Sequence, residues 1–354
     1  MPSRTGRDVH TPGSPARKRG DHGLSIIVPC FNEAKNLPGV HGRLVETAQK
    51  LWAQRGLRIE VVYIDDGSRD NTYAVACGLP AANLDVQVLS LSRNFGKEAA
   101  LTAGLHHARH GALLFMDGDG QHSPDLIERL VSHWLDDGYD VIYMAKANRK
   151  SEPISRRVMA KVFYALINFR ARYKLPHDAG DFRLLSPRAA NALRQMPERN
   201  RFFKGMASWI GFRQLRVDYE PVARAHGETN WNIASLIGLS IEGLTSFSVA
   251  PLRVASLLGL ILASIALIFG ASILYETLVY GKQVPGYPSM AVGLMVLGGV
   301  QLIMIGVMGE YIGKILSEQK ARPVYFVADH HTRNADESAH DNASQRATRP
   351  DAAE

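Results

Sequence analysis

The chain has 354 residues, 41 Lys and Arg against 34 Asp and Glu, a formal charge of +7 and two cysteines, Cys30 and Cys77. That length admits one α/β domain of ordinary size with further elements, and two cysteines exclude a disulfide framework and fit a reducing compartment. A basic excess can serve nucleic acid, a membrane surface or a phosphorylated ligand; with no zinc-finger spacing and no basic stripe interleaved with aromatics, nucleic acid is set aside as a partner.

Residues 1–22 are polar, Pro/Gly/Ser-rich and basic (Arg4, Arg7, Arg17, Lys18, Arg19), which predicts a disordered tail. They lack the apolar h-region of a secretory signal. From residue 23 the pattern alternates. Leu24–Val28, Glu60–Ile64, Val86–Leu91, Ala112–Met116 and Asp140–Met144 are short, apolar runs that read as buried strands. Between them Asn36–Gln54, Thr72–Ala76, Glu98–His110 and Pro124–Asp137 carry helical spacing. Strands alternating with helices predict an α/β fold with a mostly parallel, doubly wound sheet, whose ligands bind beyond the carboxyl ends of the strands.

Polar clusters stand at those ends. They are Pro29-Cys-Phe-Asn-Glu33, Asp65-Asp-Gly-Ser68, Ser92-Arg-Asn-Phe-Gly-Lys97 and Asp117-Gly-Asp-Gly-Gln121. Four such clusters on one rim predict a nucleotide-phosphate site. In the last, Asp117, Asp119 and Gln121 offer hard oxygen ligands on a tight turn, which suit Mg²⁺ or Mn²⁺ held together with a substrate's phosphates.

Beyond residue 146 the pattern loosens. Ser155–Arg172 reads as an amphipathic helix on which Arg156 and Arg157 either meet phosphate or form a solvated face. Asp181 and Arg183 lie two residues apart, and an ion pair between them is one reading. His106 and His110 have the spacing of metal ligands but no third ligand nearby, so an exposed helix face is expected. Ile233–Phe247 reads as an interfacial helix within a 231–251 region. Val254–Tyr275 and Ser289–Gly309 carry no charge and are each about the 20 residues needed to cross a bilayer. They predict a transmembrane hairpin over 252–316. Arg253 before the first span, and Lys314, Lys320 and Arg322 after the second, place both outer ends in the cytoplasm. The remainder, 317–354, is expected to be a cytosolic tail, disordered from about residue 329.

The strings "VPCFNE", "IDDGSRDNT", "SRNFGKEAA", "MDGDGQH", "GDFRLL" and "RFFKGMASWIGF", in this order and followed by the hairpin and the ending "ARPVYFV", resemble glycosyltransferase family 2. The likeness is to its polyprenyl-phosphate glycosyltransferases, among them dolichol-phosphate mannose synthases and the bacterial enzymes that glucosylate undecaprenyl phosphate. It covers roughly residues 24–327, and the GDFRLL form is closest to the glucosyltransferase branch. The resemblance implies a GT-A domain over 23–230 that moves a hexose, glucose from UDP-glucose first, from a nucleotide-diphosphate sugar to a polyprenyl phosphate lipid at the inner membrane. Mannose and N-acetylhexosamine are the alternative sugars, and a homo-oligomer, tetramer or dimer, is an implied assembly.

By the same resemblance Pro29, Asn32, Glu33, Asp65 and Asp66 line the nucleoside pocket, and Asp117 faces the ribose and diphosphate. Asp119 and Gln121 ligate the cation. Lys97, Arg149, Arg156, Arg157 and Arg201 meet donor or acceptor phosphate, and Asp181 and Arg183 stand near the reacting sugar carbon. Lys146 replaces a commoner arginine, and Asn230-Trp231 replaces the usual Lys-Tyr, which bears on donor affinity or sugar preference. Three rivals differ in sequence. A processive polysaccharide synthase should carry Gln-x-x-Arg-Trp, and a nucleotidyltransferase should open on a Gly-rich loop. A non-enzymatic scaffold of a glycan-export complex has no need of Asp117, Asp119 and Gln121.

Overall fold

The structure, a computed structural model, describes residues 23–118, 124–146, 179–199, 201–219, 250–280 and 286–335. The expected basic tail, the Ser155–Arg172 helix and the Ile233–Phe247 helix lie outside these residues. So do Asp119, Gln121, Arg149, Arg156, Arg157 and Asn230-Trp231.

Among the described residues eight strands form one sheet: β1 (Gly23–Cys30), β2 (Arg58–Asp65), β3 (Asp85–Leu91), β4 (Ala112–Phe115), β5 (Val141–Lys146), β6 (Ala179–Leu185), β7 (Gln214–Tyr219) and β8 (Val327–Arg333). Their order is β7-β5-β6-β4-β1-β2-β3-β8. The block β4-β1-β2-β3 is parallel throughout. β6 runs antiparallel between β4 and β5, and β5 pairs parallel with β7. The predicted α/β fold with a mostly parallel sheet is therefore present, widened by antiparallel strands.

The central strands are mostly apolar because both faces are covered, with Ser25, Glu60 and Gln87 buried and hydrogen-bonded to one another. On one face α1 (Leu37–Arg55) and α4 (Pro124–Leu135) set Leu44, Leu51, Leu130 and Val131 against Ile26, Val28 and Val61. On the other, α3 (Lys97–His107), α5 (Pro187–Arg194) and α6 (Phe203–Trp209) pack Leu101, Leu105, Leu193 and Phe203 against Ile27, Ile64 and Phe115. The short α2 (Thr72–Cys77) follows β2. Helix α3 lies close on the sheet at Gly104, where an added Cβ would come within 2.3 Å of Ile27 Cγ2. α5 starts where Ser186 Oγ accepts the Ala189 amide and Pro187 fixes the first turn.

Two long helices follow, α7 (Ala250–Tyr280) and α8 (Tyr287–Gln319). They contain both expected spans, and Val254–Val279 and Val292–Gln319 are long and apolar enough to cross a membrane. At 31 residues α7 is about 46 Å long, more than a hydrocarbon core of about 30 Å requires. Their apolar side chains face outward, Leu267 and Met295 by three quarters of their surface. Such a surface is at home in lipid and costly in water.

The expectation of disorder from about residue 329 does not hold for residues 329–335; its remainder, residues 336–354, lies outside the described residues. Residues 327–333 form β8, which pairs antiparallel with the edge strand β3 from Val86↔Arg333 to Leu91↔Val327. Its composition, VADHHTR, is polar because it is itself an edge strand with little to bury. Backbone pairing holds it in place, and backbone pairing leaves no mark on hydropathy.

Candidate active site

The carboxyl ends of β1, β2, β3 and β4 bring the rim clusters side by side, and short hydrogen bonds lace each loop to the next. After β1, Asn32 adopts φ 58°, a left-handed conformation that asparagine tolerates better than most residues. Its amide donates to Ser68 Oγ at 2.9 Å and its Oδ1 accepts the Arg69 amide at 2.9 Å. The Glu33 amide donates to Thr72 Oγ1, while Glu33 Oε2 accepts from Asn36 Nδ2 at 2.6 Å. Pro29 lies in β1 opposite Ile64 of β2.

After β2, the Asp65 carboxylate accepts the Ser68 amide, and both Asp65 and Asp66 are buried. Asp66 reaches the third loop, where its two oxygens accept the amides of Phe95 (2.7 Å) and Gly96 (2.9 Å). Burial raises its carboxyl above the ordinary value, against the lowering effect of those two bonds. Gly67, at φ 66°, lets this turn pass the backbone of Arg93 and Asn94, where a Cβ would fall 2.5 Å from the Arg93 carbonyl carbon.

Lys97 then joins the third loop to the fourth. Its Nζ lies 2.5 Å from Asp117 Oδ1 and 2.6 Å from Asp181 Oδ2. The other Asp181 oxygen faces Lys204 Nζ of α6 at 3.1 Å. Burial would raise the Asp181 carboxyl, but Lys204 and Lys97 outweigh it and hold it well below the usual carboxylate range. Burial likewise works against the charge on Lys97, yet Asp181 and Asp117 keep its ammonium well above the ordinary lysine value. Both shifts favour the charged forms of Asp181 and Lys97, each of which faces a partner of opposite sign.

Arg183 is not the ion-pair partner of Asp181. Its buried guanidinium donates through Nη1 to the Phe203 carbonyl at 3.2 Å, and its centre lies 5.9 Å from the Tyr143 ring. The Phe203 amide donates to Glu98 Oε2 at 2.9 Å, and burial pushes the Glu98 carboxyl up to about 7. Glu98 and Arg183 therefore hold Phe203 of α6 at its amide and its carbonyl, next to Lys204, which faces Asp181.

Arg201 bonds backbone carbonyls of its own loop, Glu198 through Nε and Met196 through Nη2. Its Nη1 is buried with no partner among the described residues. His106 and His110 do not share a helix face: α3 ends at His107, His106 Nδ1 lies 3.2 Å from Tyr325 Oη, and the His110 amide donates to Ser25 Oγ. Among the described residues no group of three or more His, Cys, Asp or Glu is arranged to hold a metal ion. Asp119 and Gln121 are outside them, and Asp117 is the described member of the expected cation set. Its side chain is 32% exposed on the rim, and a partly exposed carboxylate suits a hard divalent ion.

Sequence reading missed Lys204 and Glu98 as members of this site. Both lie inside motifs it had singled out, RFFKGM and SRNFGKEAA, but Lys204 meets Asp181 of β6 and Glu98 meets the Phe203 amide 105 positions away, pairings that no local pattern shows.

The model for Glycosyl transferase family 2 matches residues 25–194. An uncharacterised glycosyltransferase of Synechocystis is 40% identical over 86% of this chain and 95% of its own length. The SfII prophage-derived bactoprenol glucosyl transferase of Shigella flexneri is 40% identical over 88% of this chain and 99% of its own. Among solved structures, glucosyl-3-phosphoglycerate synthase from Mycobacterium tuberculosis, with Mn²⁺, UDP and glucosyl-3-phosphoglycerate, covers 64% of this chain and 80% of its own, at 18% identity and a TM-score of 0.42. That likeness is too loose to bear on the site. The family match over residues 25–194, together with two relatives 40% identical over 86% and 88% of the chain, shows that the chain belongs to glycosyltransferase family 2 and is a glycosyltransferase.

Proposed function

We propose that this enzyme transfers a hexose, glucose from UDP-glucose, to a polyprenyl phosphate such as undecaprenyl phosphate, releasing the nucleoside diphosphate. The observation that carries the reading is the near end-to-end similarity to a bactoprenol glucosyl transferase. The long apolar helices support it, since the acceptor's tail stays in lipid while its phosphate meets the rim. The charge pattern around the spans favours a catalytic domain and termini on the cytoplasmic side of the inner membrane. The product is a lipid-linked sugar available for cell-envelope glycan modification.

In this reading Pro29, Asn32, Glu33, Asp65 and Asp66 line the nucleoside side of the rim. Asp117, Asp119 and Gln121 would hold Mg²⁺ or Mn²⁺, which supplies charge neutralisation at the leaving diphosphate. Lys97 stands beside Asp117 as a further fixed cation for that diphosphate. The acceptor phosphate is already ionised at neutral pH, so no strong base is required. A carboxylate held as far down as Asp181 accepts a proton poorly, which favours an orienting and charge-stabilising role at the sugar carbon. The displacement inverts the anomeric configuration. Arg149, Arg156, Arg157 and Arg201 would receive phosphate through forked guanidinium donors, and the partnerless Nη1 of Arg201 is consistent with that role.

Asp119→Ala tests the reading. It is expected to abolish transfer of radiolabelled sugar from the donor into the lipid extract while the protein stays in the membrane fraction; near-normal transfer would remove the cation assignment. Arg156→Ala with Arg157→Ala should raise the acceptor concentration needed more than the donor concentration, and an unchanged acceptor dependence would return both to a solvated face.

A further inference from the structure

Between the end of α8 and the start of β8 the chain turns back from the apolar helices to the catalytic sheet, and this return is anchored at each step. The Arg199 amide donates to both Glu318 oxygens at 3.1 Å, and Arg199 Nε donates to the Arg322 carbonyl at 3.1 Å. The Tyr325 ring lies against His106 and His107. The Phe326 carbonyl accepts the Ser92 amide at 2.9 Å, and the Phe326 ring sits 6.3 Å from the Phe95 ring at a tilt of 51°.

Phe326 is 55% exposed, so it contributes little to the core. What it does touch is the rim. The loop from Ser92 to Gly96 is exposed over Ser92, Arg93 and Asn94 and belongs to no helix or strand. Asp66 holds it from within through the Phe95 and Gly96 amides, and Lys97 begins where it ends. The Arg93 guanidinium covers the Phe95 ring at 4.0 Å, and Phe326 is the ring packed on Phe95 from the returning segment. A tilted aromatic pair at this separation is in its favourable range.

We propose that Phe326 is a positioning residue for the donor: through Phe95 it fixes the Ser92–Gly96 loop, and so the Asp66 carboxylate and the Lys97 ammonium against which the nucleotide diphosphate is bound. This rests on the reading of the rim as a nucleotide-sugar site. It makes the segment that follows the second apolar helix part of the donor site's outer wall, so that donor affinity depends on the chain's return from the membrane.

The test uses the full chain in lipid nanodiscs, with UDP-glucose and undecaprenyl phosphate. Phe326→Ala is expected to raise the donor KM about three- to tenfold, the loss of one aromatic pair, with kcat and acceptor KM changed by less than about twofold. Phe326→Tyr should restore the donor KM. Hydrogen exchange at the Phe95 and Gly96 amides should quicken in the alanine variant and recover in the tyrosine one. Should the alanine variant fail to fold, Phe326→Leu keeps the apolar bulk without the ring and carries the same measurements. An unchanged donor KM with unchanged amide protection overturns the proposal, as does an equal loss in donor KM, acceptor KM and kcat. If the wild type transfers no sugar, the functional reading falls, while the exchange measurement still decides whether Phe326 positions the loop.

Discussion

Asp181 sits between two ammonium groups, and this arrangement decides what it can do. A catalytic base needs a carboxylate that takes a proton near neutral pH; Lys97 and Lys204 hold this one far below that range. Lys204 is the less obvious partner, and its removal leaves one oxygen of Asp181 unmatched. Lys204→Ala is expected to lower the transfer rate by roughly 10²-fold, the scale of one lost electrostatic contact in a preorganised site, with partial recovery in Lys204→Arg. Initial rates with labelled donor check this, and a rate unchanged within about twofold would make Lys204 a bystander. Glu98 carries a pH signature. Its carboxyl is raised from an ordinary 4.5 to about 7, so between those values the folded chain holds a proton that the unfolded chain has released. Stability therefore falls as pH rises through that window and levels off above it. Thermal unfolding of Glu98→Gln in detergent across pH 4–8 should lack this component of the fall; identical pH profiles for variant and wild type would contradict it. Asp117 could be read from its place after an apolar run, and Asp181 from the resemblance carried by GDFRLL. Lys97 was named as a phosphate contact but not as their partner, and Lys204 was missed, since nothing in RFFKG says which carboxylate its lysine meets.

At the scale of elements, the parallel block was legible because strands buried on both faces are mostly apolar, and β1 through β4 match the apolar runs within a few residues. β6, β7 and β8 were harder. β7 carries Arg216 and Asp218 on an exposed edge, and β8 is held by backbone pairing to β3. The loops are set by close approaches that glycine permits. Gly67→Ala would force a Cβ to 2.5 Å from the Arg93 backbone at a φ of 66°, displacing the loop that Asp66 holds. Donor binding should weaken by roughly 10²-fold, as for about an ångström of misplacement, measured by calorimetric titration with UDP. Gly104→Ala acts differently: it drives a methyl into Ile27 and should cost about 1–3 kcal/mol of stability with the donor KM of the folded fraction unchanged. If both variants bound UDP as the wild type does, the loop would not be part of the donor site.

At the scale of the molecule, a charged rim on an α/β sheet is joined to two outward-facing apolar helices by a return strand that completes the sheet's edge. In the proposed reaction the rim would supply fixed charges for phosphates, and the helices a place for a substrate that water does not dissolve. The central claim is that these parts act on one lipid acceptor. The purified chain in membranes, offered UDP-glucose, GDP-mannose and UDP-N-acetylglucosamine in turn with undecaprenyl phosphate and Mg²⁺, can be followed by mass spectrometry of the extracted lipid. An undecaprenyl-phosphate hexose is expected from UDP-glucose. Donors consumed to free sugar, or left intact with no glycolipid formed from any of them, would contradict it.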